Sequence, residues 1–569
     1  MSEEYTNGAP LYEALLRYRE KRNASFHVPG HKNGQALRGE VRVDGVLPHV
    51  MEIDATEITG TDDLHHPEGV IREAQRLAAA QFGAEETFFL VGGSTAGNLA
   101  LILSVCTAPG DVLLVQRNVH KSVIHGLMLA GAHAVFLAPQ QDASSGLATI
   151  PSEAAVREAL RRHPGAKGLL LTHPSYYGMG APLRPLAELC HVHGVPLLVD
   201  EAHGAHFGQH PALPESALAA GADGVVQSTH KMLTALTMGA MLHVQGGLLD
   251  LALLRQRLAM LQSSSPSYPI MASLDVSRSL LGAQGPAFFE GGLSAAAYLR
   301  RGLAQLSRFD VVEPPGASGG AAAYTIQDPL KLVIFDATAA LTGYELQERL
   351  EAEGCVPEMS DDRYVVLALG PGTTQRDAER LLQALQRICG GCAGEETVIV
   401  DADADKGVKA VAEASNTADA VEDAADANSR LTSPSGLSTW NNAVHGHEPA
   451  AAGIPREGTS GGDAGTPVAP VPLSPGEPDL LLAVSEPVPF RLVPLSPAEI
   501  ETVPIEDSAG RQAAEMIIPY PPGIPIVYPG ETVTEAAKQR LMLLRLSGAK
   551  CQGAADPSLA GIQVKKRLT

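Results

Sequence analysis

Between Thr87 and Val244 short apolar runs alternate with longer amphipathic ones. This rhythm constrains the fold more than any other feature, because parallel strands joined by crossover helices require it. The spacing predicts strands over 87–91, 112–115, 134–137, 168–172, 196–200 and 224–227. It predicts helices over 94–104, 121–130, 152–162, 185–193 and 215–220. In an open α/β sheet, ligands bind beyond the carboxyl ends of the strands. Polar residues in those loops are therefore the first candidates for chemistry.

At 569 residues the chain is too long for one core. The expected division is an N-terminal segment with a large, mostly parallel-sheet domain over 1–290 and a smaller α/β domain over 291–392. The smaller domain should carry a strand over 331–335 and helices over 343–353 and 374–388. Residues 393–478, with stretches such as Asp401-Ala-Asp-Ala-Asp405 and Pro467-Val-Ala-Pro-Val-Pro472, have too few large apolar side chains to offset chain entropy. They are expected to be a disordered acidic and proline-rich linker. A small C-terminal domain over 479–569, ending in a helix over 532–546, completes the chain.

Lys plus Arg number 42 and Asp plus Glu 64, a formal charge of −22. Such a field repels nucleic acid and anionic membranes and leaves room for a cationic substrate. No apolar run is long enough to span a bilayer, and the acidic start Met1-Ser2-Glu3-Glu4-Tyr5 lacks a signal peptide's layout. Six scattered cysteines fit a reducing compartment better than a disulfide framework. A cytoplasmic protein is expected.

The strongest constellation is a pair of strand ends, Val195-Pro-Leu-Leu-Val-Asp200-Glu-Ala-His203-Gly204 and Gly224-Val-Val-Gln-Ser228-Thr-His230-Lys231. Pyridoxal phosphate needs a lysine that can be neutral, to bond its aldehyde, and a carboxylate that keeps its ring nitrogen protonated. Lys231 and Asp200 fit those roles. The turn Gly92-Gly93-Ser94-Thr95, between a strand and a helix, offers glycines, free N–H groups and hydroxyls to a phosphate, and Ser228 can add another hydroxyl. Taken alone, that turn is more often a plain helix start. His120 lies on the crevice side, where it either stacks on a cofactor ring or caps the next helix. His203 is placed to reach the ring's phenolic oxygen or the reacting carbon.

Other readings of these residues are weaker. Asp200-Glu201-Ala202-His203 spells a helicase box, but no phosphate loop precedes it. His203, His206 and His210 lack a carboxylate or thiol framework for a metal, so no metal is expected. Cys389-Gly-Gly-Cys392 has no partner pair.

The chain resembles the bacterial ornithine/lysine/arginine decarboxylases of the aspartate-aminotransferase fold, in particular the shorter Gram-positive type. The resemblance rests on Phe26 to Gly34, Thr61 to Gly69, Gly92 to Asn98, Arg117 to Ser122, Asp200 to Gly204, Ser228 to Lys231, Ser264 to Asp275 and Ile518 to Glu531. It implies a fold-type-I pyridoxal-phosphate enzyme that converts a basic amino acid to its amine for polyamine metabolism. Lys231 would be the imine lysine, Asp200 the partner of the ring nitrogen and His120 the stacking residue. Gly93, Ser94, Thr95, Ser228, His203 and His230 would complete the cofactor site. The resemblance further implies a homodimer or larger assembly with shared active sites, to which His31, Asp62, Asp63 and Ser264 to Tyr268 contribute from across the interface. Proton return to the α-carbon falls to Lys231 or His203. Glu531 is expected to pair with the distal cation of the substrate, since a desolvated cation needs an anion. The alternatives are an acyl-transferring pyridoxal enzyme that forms carbon–carbon bonds, and a regulatory relative without activity. Arginine, lysine and ornithine are not distinguished.

Overall fold

The computed structural model describes residues 8–39, 45–314, 322–390, 483–520 and 523–567. The chain divides into one unit of residues 1–394 with 478–569 and another of 395–477. The expected linker over 393–478, and Cys392 of the Cys-x-x-Cys pair, lie outside the described residues.

The first unit is built on an eight-stranded sheet in the order Glu86–Leu90, Ala240–Val244, Gly224–Gln227, Leu197–Asp200, Leu169–Thr172, Val112–Gln116, His133–Leu137, Val488–Pro489. The strands from Gly224–Gln227 through His133–Leu137 are mutually parallel. Such strands are covered on both faces and so read as continuous apolar runs. Leu114, Leu169, Leu197 and Val225 join one buried cluster, while Leu113, Leu170, Leu198 and Val226 join the other. Parallel pairing sends Asp200 and the Ser228 to Lys231 segment to the same edge, with Asp200 in register with Val226.

Four features depart from the sequence expectations, the first being that the C-terminal part ends on the strand Gly561–Lys565 and not on a helix. Residues 215–220 form no helix; only 217–220 make a turn, and Gly221 ends it at φ +100°. Ala240–Val244 is an additional strand, inserted antiparallel between Glu86–Leu90 and Gly224–Gln227. Val488–Pro489 pairs antiparallel with His133 and Ala134, and Phe490 packs into the same apolar cluster as Phe136. The C-terminal segment thus begins as an edge strand of the large sheet.

A smaller antiparallel sheet runs in the order Met359–Ser360, Tyr364–Ala368, Lys331–Asp336, Phe309–Val311. It is flanked by the helices Ala287–Leu303, Gly343–Ala352 and Gln375–Gly390. The C-terminal residues add a strand pair, Ile500–Pro504 with Gly561–Lys565, and the helix Glu535–Leu546. Thr534 caps that helix, accepting from the Ala537 N–H. A separate apolar cluster around Ile517, Val527 and Leu541 holds this part together.

Candidate active site

The crevice at the carboxyl ends of the parallel strands holds a cavity of about 450 Å³. Asp200 closes its strand into the cavity floor. Its Oδ2 accepts from Asn98 Nδ2 at 2.8 Å and its Oδ1 from the Ala202 N–H at 3.2 Å. Burial pushes this carboxyl up, and the Lys231 charge and those two donors oppose it. Lys231 lies in the short helix Thr229–Met232, directly after the strand Gly224–Gln227. Solvent reaches its side chain through the cavity. The surrounding protein nevertheless pushes the amine below its ordinary value, with Asp200 and Glu358 pulling the other way.

His203 is buried beside Lys231, with Nε2 3.0 Å from Lys231 Nζ. Its ring is packed against Tyr176 at 4.2 Å between centroids. Burial, followed by the charges of Lys231 and Lys331, holds the imidazole well below its usual range. His120 takes the capping role of the two expected for it. Its Nδ1 accepts from the Ser122 N–H at 3.2 Å, capping the helix Lys121–Ala130, and its ring lines the cavity. Burial and Lys231 push it down to about 4, so it is uncharged at neutral pH. His230 is tied to Gly239 O through Nδ1 at 3.0 Å and also lines the cavity.

At the phosphate end, Gly93 takes φ +72°, a conformation natural to glycine, and opens the helix Gly93–Val105. Its N-cap, Gly92, has no side chain to satisfy the free N–H groups of the first turn. Ser94 faces the cavity, and Thr95 follows it in the same first turn. The Ser228 hydroxyl is fully buried with no partner within the protein. A buried hydroxyl without a partner and a helix start with free N–H groups are each what a phosphate oxygen satisfies. Thr172 Oγ1, on the cavity wall, is in the same condition.

The remaining candidates have other duties. Glu531 is spent on Arg117, whose Nε and Nη2 meet its two oxygens at 2.8 and 2.7 Å. The loop that carries Glu531 does reach the cavity, but through Tyr520 and Ile524. Arg117 also holds the carbonyls of Pro525 and Ile526, so the carboxylate anchors this loop instead of facing a substrate. Glu531→Gln is expected to lower stability by ~1.5–3 kcal/mol, the worth of a charged hydrogen bond. The ratios of kcat/KM among arginine, lysine and ornithine should not move, and thermal unfolding beside steady-state kinetics checks both. Gly523 explains the closeness of the loop: it has φ +85°, and a Cβ there would stand 3.0 Å from the His120 ring.

Asp62 is also committed. It accepts from the backbone N–H groups of Glu68, Gly69, Ile71 and Arg72, which starts the helix Val70–Phe82. Asp63 accepts from the His65 N–H, His31 pairs with Asp54 at 3.1 Å, and the Tyr268 hydroxyl donates to Asp62 O. Glu201 points beneath the sheet to Gln227, where burial raises it to about 8. His206 meets Asp328 and His210 meets Glu290.

Three cavity residues carry no signal in the motifs. Tyr176 donates its hydroxyl to Glu358 at 2.6 Å. Glu358 leads into the strand Met359–Ser360 and acts electrostatically on both Lys231 and Lys331. Lys331 is buried, its Nζ 2.8 Å from His203 Nδ1 and 3.1 Å from Tyr176 O. A lysine opening the apolar run 332–335 is the one trace of this that the sequence carries.

Residues 9–377 match the family model for the Orn/Lys/Arg decarboxylase major domain, and residues 494–553 that for the Orn/Lys/Arg decarboxylase C-terminal domain. The chain is 37% identical over 545 residues to an uncharacterized protein YaaO of Bacillus subtilis, covering 96% of each. It is 32% identical over 558 residues to an arginine decarboxylase of Bacillus anthracis, covering 98% of this chain and 97% of the relative. The constitutive lysine decarboxylase of Escherichia coli shares the fold, with a TM-score of 0.69 at 20% identity over 98% of this chain and 82% of that one.

Proposed function

The chain belongs to the Orn/Lys/Arg decarboxylase family and decarboxylates a basic amino acid; we propose that it does so in the cavity of Lys231, Asp200 and His203, with pyridoxal phosphate as cofactor and arginine as substrate. The observation that carries this assignment is the meeting of a cavity-facing lysine, its amine pushed below its ordinary value by burial, with a buried carboxylate at an adjoining strand end. Arginine is favoured because a relative at 32% identity over nearly the whole chain is an arginine decarboxylase, whereas a lysine decarboxylase of Pseudomonas aeruginosa stands at 25%.

The residues fit the cofactor. Ser94, Thr95 and the unpartnered Ser228 hydroxyl would hold its phosphate at the helix start that Gly93 opens, and His120 would cover its ring. Bound there, the cofactor supplies an electron-accepting ring for the pair released when the α-carboxyl group leaves as carbon dioxide. Asp200 keeps a proton on the ring nitrogen and is itself oriented by Asn98. Lys231 presents its amine, and Lys231 or His203 returns a proton to the α-carbon. Acyl transfer and a non-catalytic role are not favoured, since arginine and lysine decarboxylases are among the relatives and both Lys231 and Asp200 stand in the cavity.

With Glu531 engaged elsewhere, we assign the distal cation of the substrate to Glu358, the carboxylate on the open side of the same cavity. Glu358→Gln is expected to raise KM for arginine about tenfold, as a charge-assisted contact of ~1.5–3 kcal/mol becomes neutral. The cofactor spectrum should be unchanged. An unaltered KM removes Glu358 from the role.

We extend the proposal to a cytoplasmic homodimer or larger assembly that supplies polyamine synthesis. Phe26, 95% exposed, and Val46, 80% exposed, give the N-terminal segment an apolar surface suited to a second copy. Among the described residues no helix is long and apolar enough to cross a membrane.

A further inference from the structure

We propose that Asn98 is a positioning residue whose amide ties Asp200 to Ser122 and, through the Ser122 hydroxyl, to His120. The carboxylate assigned to the ring nitrogen and the imidazole assigned to the ring face are thereby held as one unit. This rests on the roles given to Asp200 and His120 above.

The directions of these bonds are set by a group that can only donate, the Ser122 backbone N–H. It stands 3.2 Å from His120 Nδ1, so Nδ1 is the accepting, unprotonated nitrogen. The imidazole therefore carries its proton on Nε2 alone and is neutral. Ser122 Oγ lies 2.9 Å from the same Nδ1, which makes the hydroxyl a donor there as well. With its proton committed to His120, Ser122 Oγ is left to accept, and Asn98 Nδ2 donates to it from 3.0 Å. The second N–H of that amide meets Asp200 Oδ2 at 2.8 Å. Turning the amide over would set its oxygen against the Ser122 oxygen and the Asp200 carboxylate, neither of which has a proton left to give. One orientation of Asn98 thus satisfies the whole chain of bonds.

Packing alone does not account for Asn98. It is 1% exposed within the helix Gly93–Val105, and its own Oδ1 is buried without a partner. Such an orphaned oxygen costs free energy that an apolar side chain of similar size would avoid. What the apolar side chain lacks is the pair of donors. At Asp200 the Asn98 amide and the Ala202 N–H are both donors, and both favour the ionised carboxylate. At His120 the Ser122 hydroxyl and N–H converge on one nitrogen and fix the ring at the start of the helix Lys121–Ala130.

The test measures binding to the full-length cofactor-free protein of pyridoxal phosphate and of its 1-deaza analogue, in which C–H replaces the ring nitrogen. Wild type should bind the natural cofactor more tightly, because only a ring nitrogen can pair with Asp200. In Asn98→Leu that advantage should fall about tenfold, the scale of a lost charge-assisted hydrogen bond. Asn98→Asp, which keeps the shape and removes the donors, should lose the advantage too. Ser122→Ala should lower it about threefold, the scale of a neutral hydrogen bond, and should lower it no further once Asn98 is leucine. A merely structural role weakens both ligands alike. Equal weakening of the two in Asn98→Leu, or wild-type discrimination in Asn98→Asp, therefore overturns the role of Asn98. An undiminished effect of Ser122→Ala in the leucine background overturns the bridge. Asn98→Ala repeats the measurement if the leucine variant does not fold. Equal binding of the two ligands by wild type overturns the assignment of Asp200 itself, whereas discrimination that survives every variant overturns only the part given to Asn98.

Discussion

Lys231→Ala is expected to abolish turnover and covalent cofactor attachment together. Wild-type protein should show a visible absorption band from bound cofactor, and borohydride reduction should fix the cofactor to the peptide containing Lys231. The variant should bind cofactor reversibly at most, through the Ser94, Thr95 and Ser228 phosphate seat. The expectation rests on placement: Lys231 stands where the cavity opens, and its amine is held below its ordinary value by the surrounding protein. Lys331, the other lysine on the cavity wall, is buried and tied to His203 and Tyr176. Reduced cofactor recovered on Lys331 would exchange the two assignments.

Asp200→Asn should retain cofactor but lose roughly a hundredfold or more in kcat, the scale on which one preorganised charge at a developing charge matters. An amide cannot keep a proton on the ring nitrogen, so the electron sink weakens while the phosphate seat is untouched. The substitution is close to isosteric, and Asn98 Nδ2 still finds an oxygen to donate to, so folding should survive. The check is kcat beside the cofactor dissociation constant. A near-normal kcat would take Asp200 out of the role.

How far the sequence could be followed is explained by where each signal lies. Gly224–Gln227 coincides with its expected strand, and Lys121–Ala130 with its helix, because buried parallel strands and amphipathic crossovers mark themselves in local periodicity. Asp200, His203 and Lys231 were legible because each follows such a strand within a few residues. Val488–Pro489 was not, since its partner strand is separated from it by some of the least periodic sequence in the chain. Residues 215–220 are amphipathic, but so short a run before Gly221 turns the chain at φ +100° does not sustain a helix. The pairing of Glu531 was hidden because its partner Arg117 belongs to a motif that reads as part of the cofactor site. Tyr176, Lys331 and Glu358 come from three separate stretches and meet only after folding.

The most direct test is to incubate the purified protein and pyridoxal phosphate with carboxyl-labelled arginine, lysine and ornithine in turn, without any thioester. Released carbon dioxide and the product amine are measured together. Carbon dioxide and agmatine formed one to one from arginine, faster than the corresponding products from lysine and ornithine, are expected, with loss of both in Lys231→Ala. Release of no carbon dioxide from any of the three, or release only when an acyl thioester is added, would contradict decarboxylation at this site.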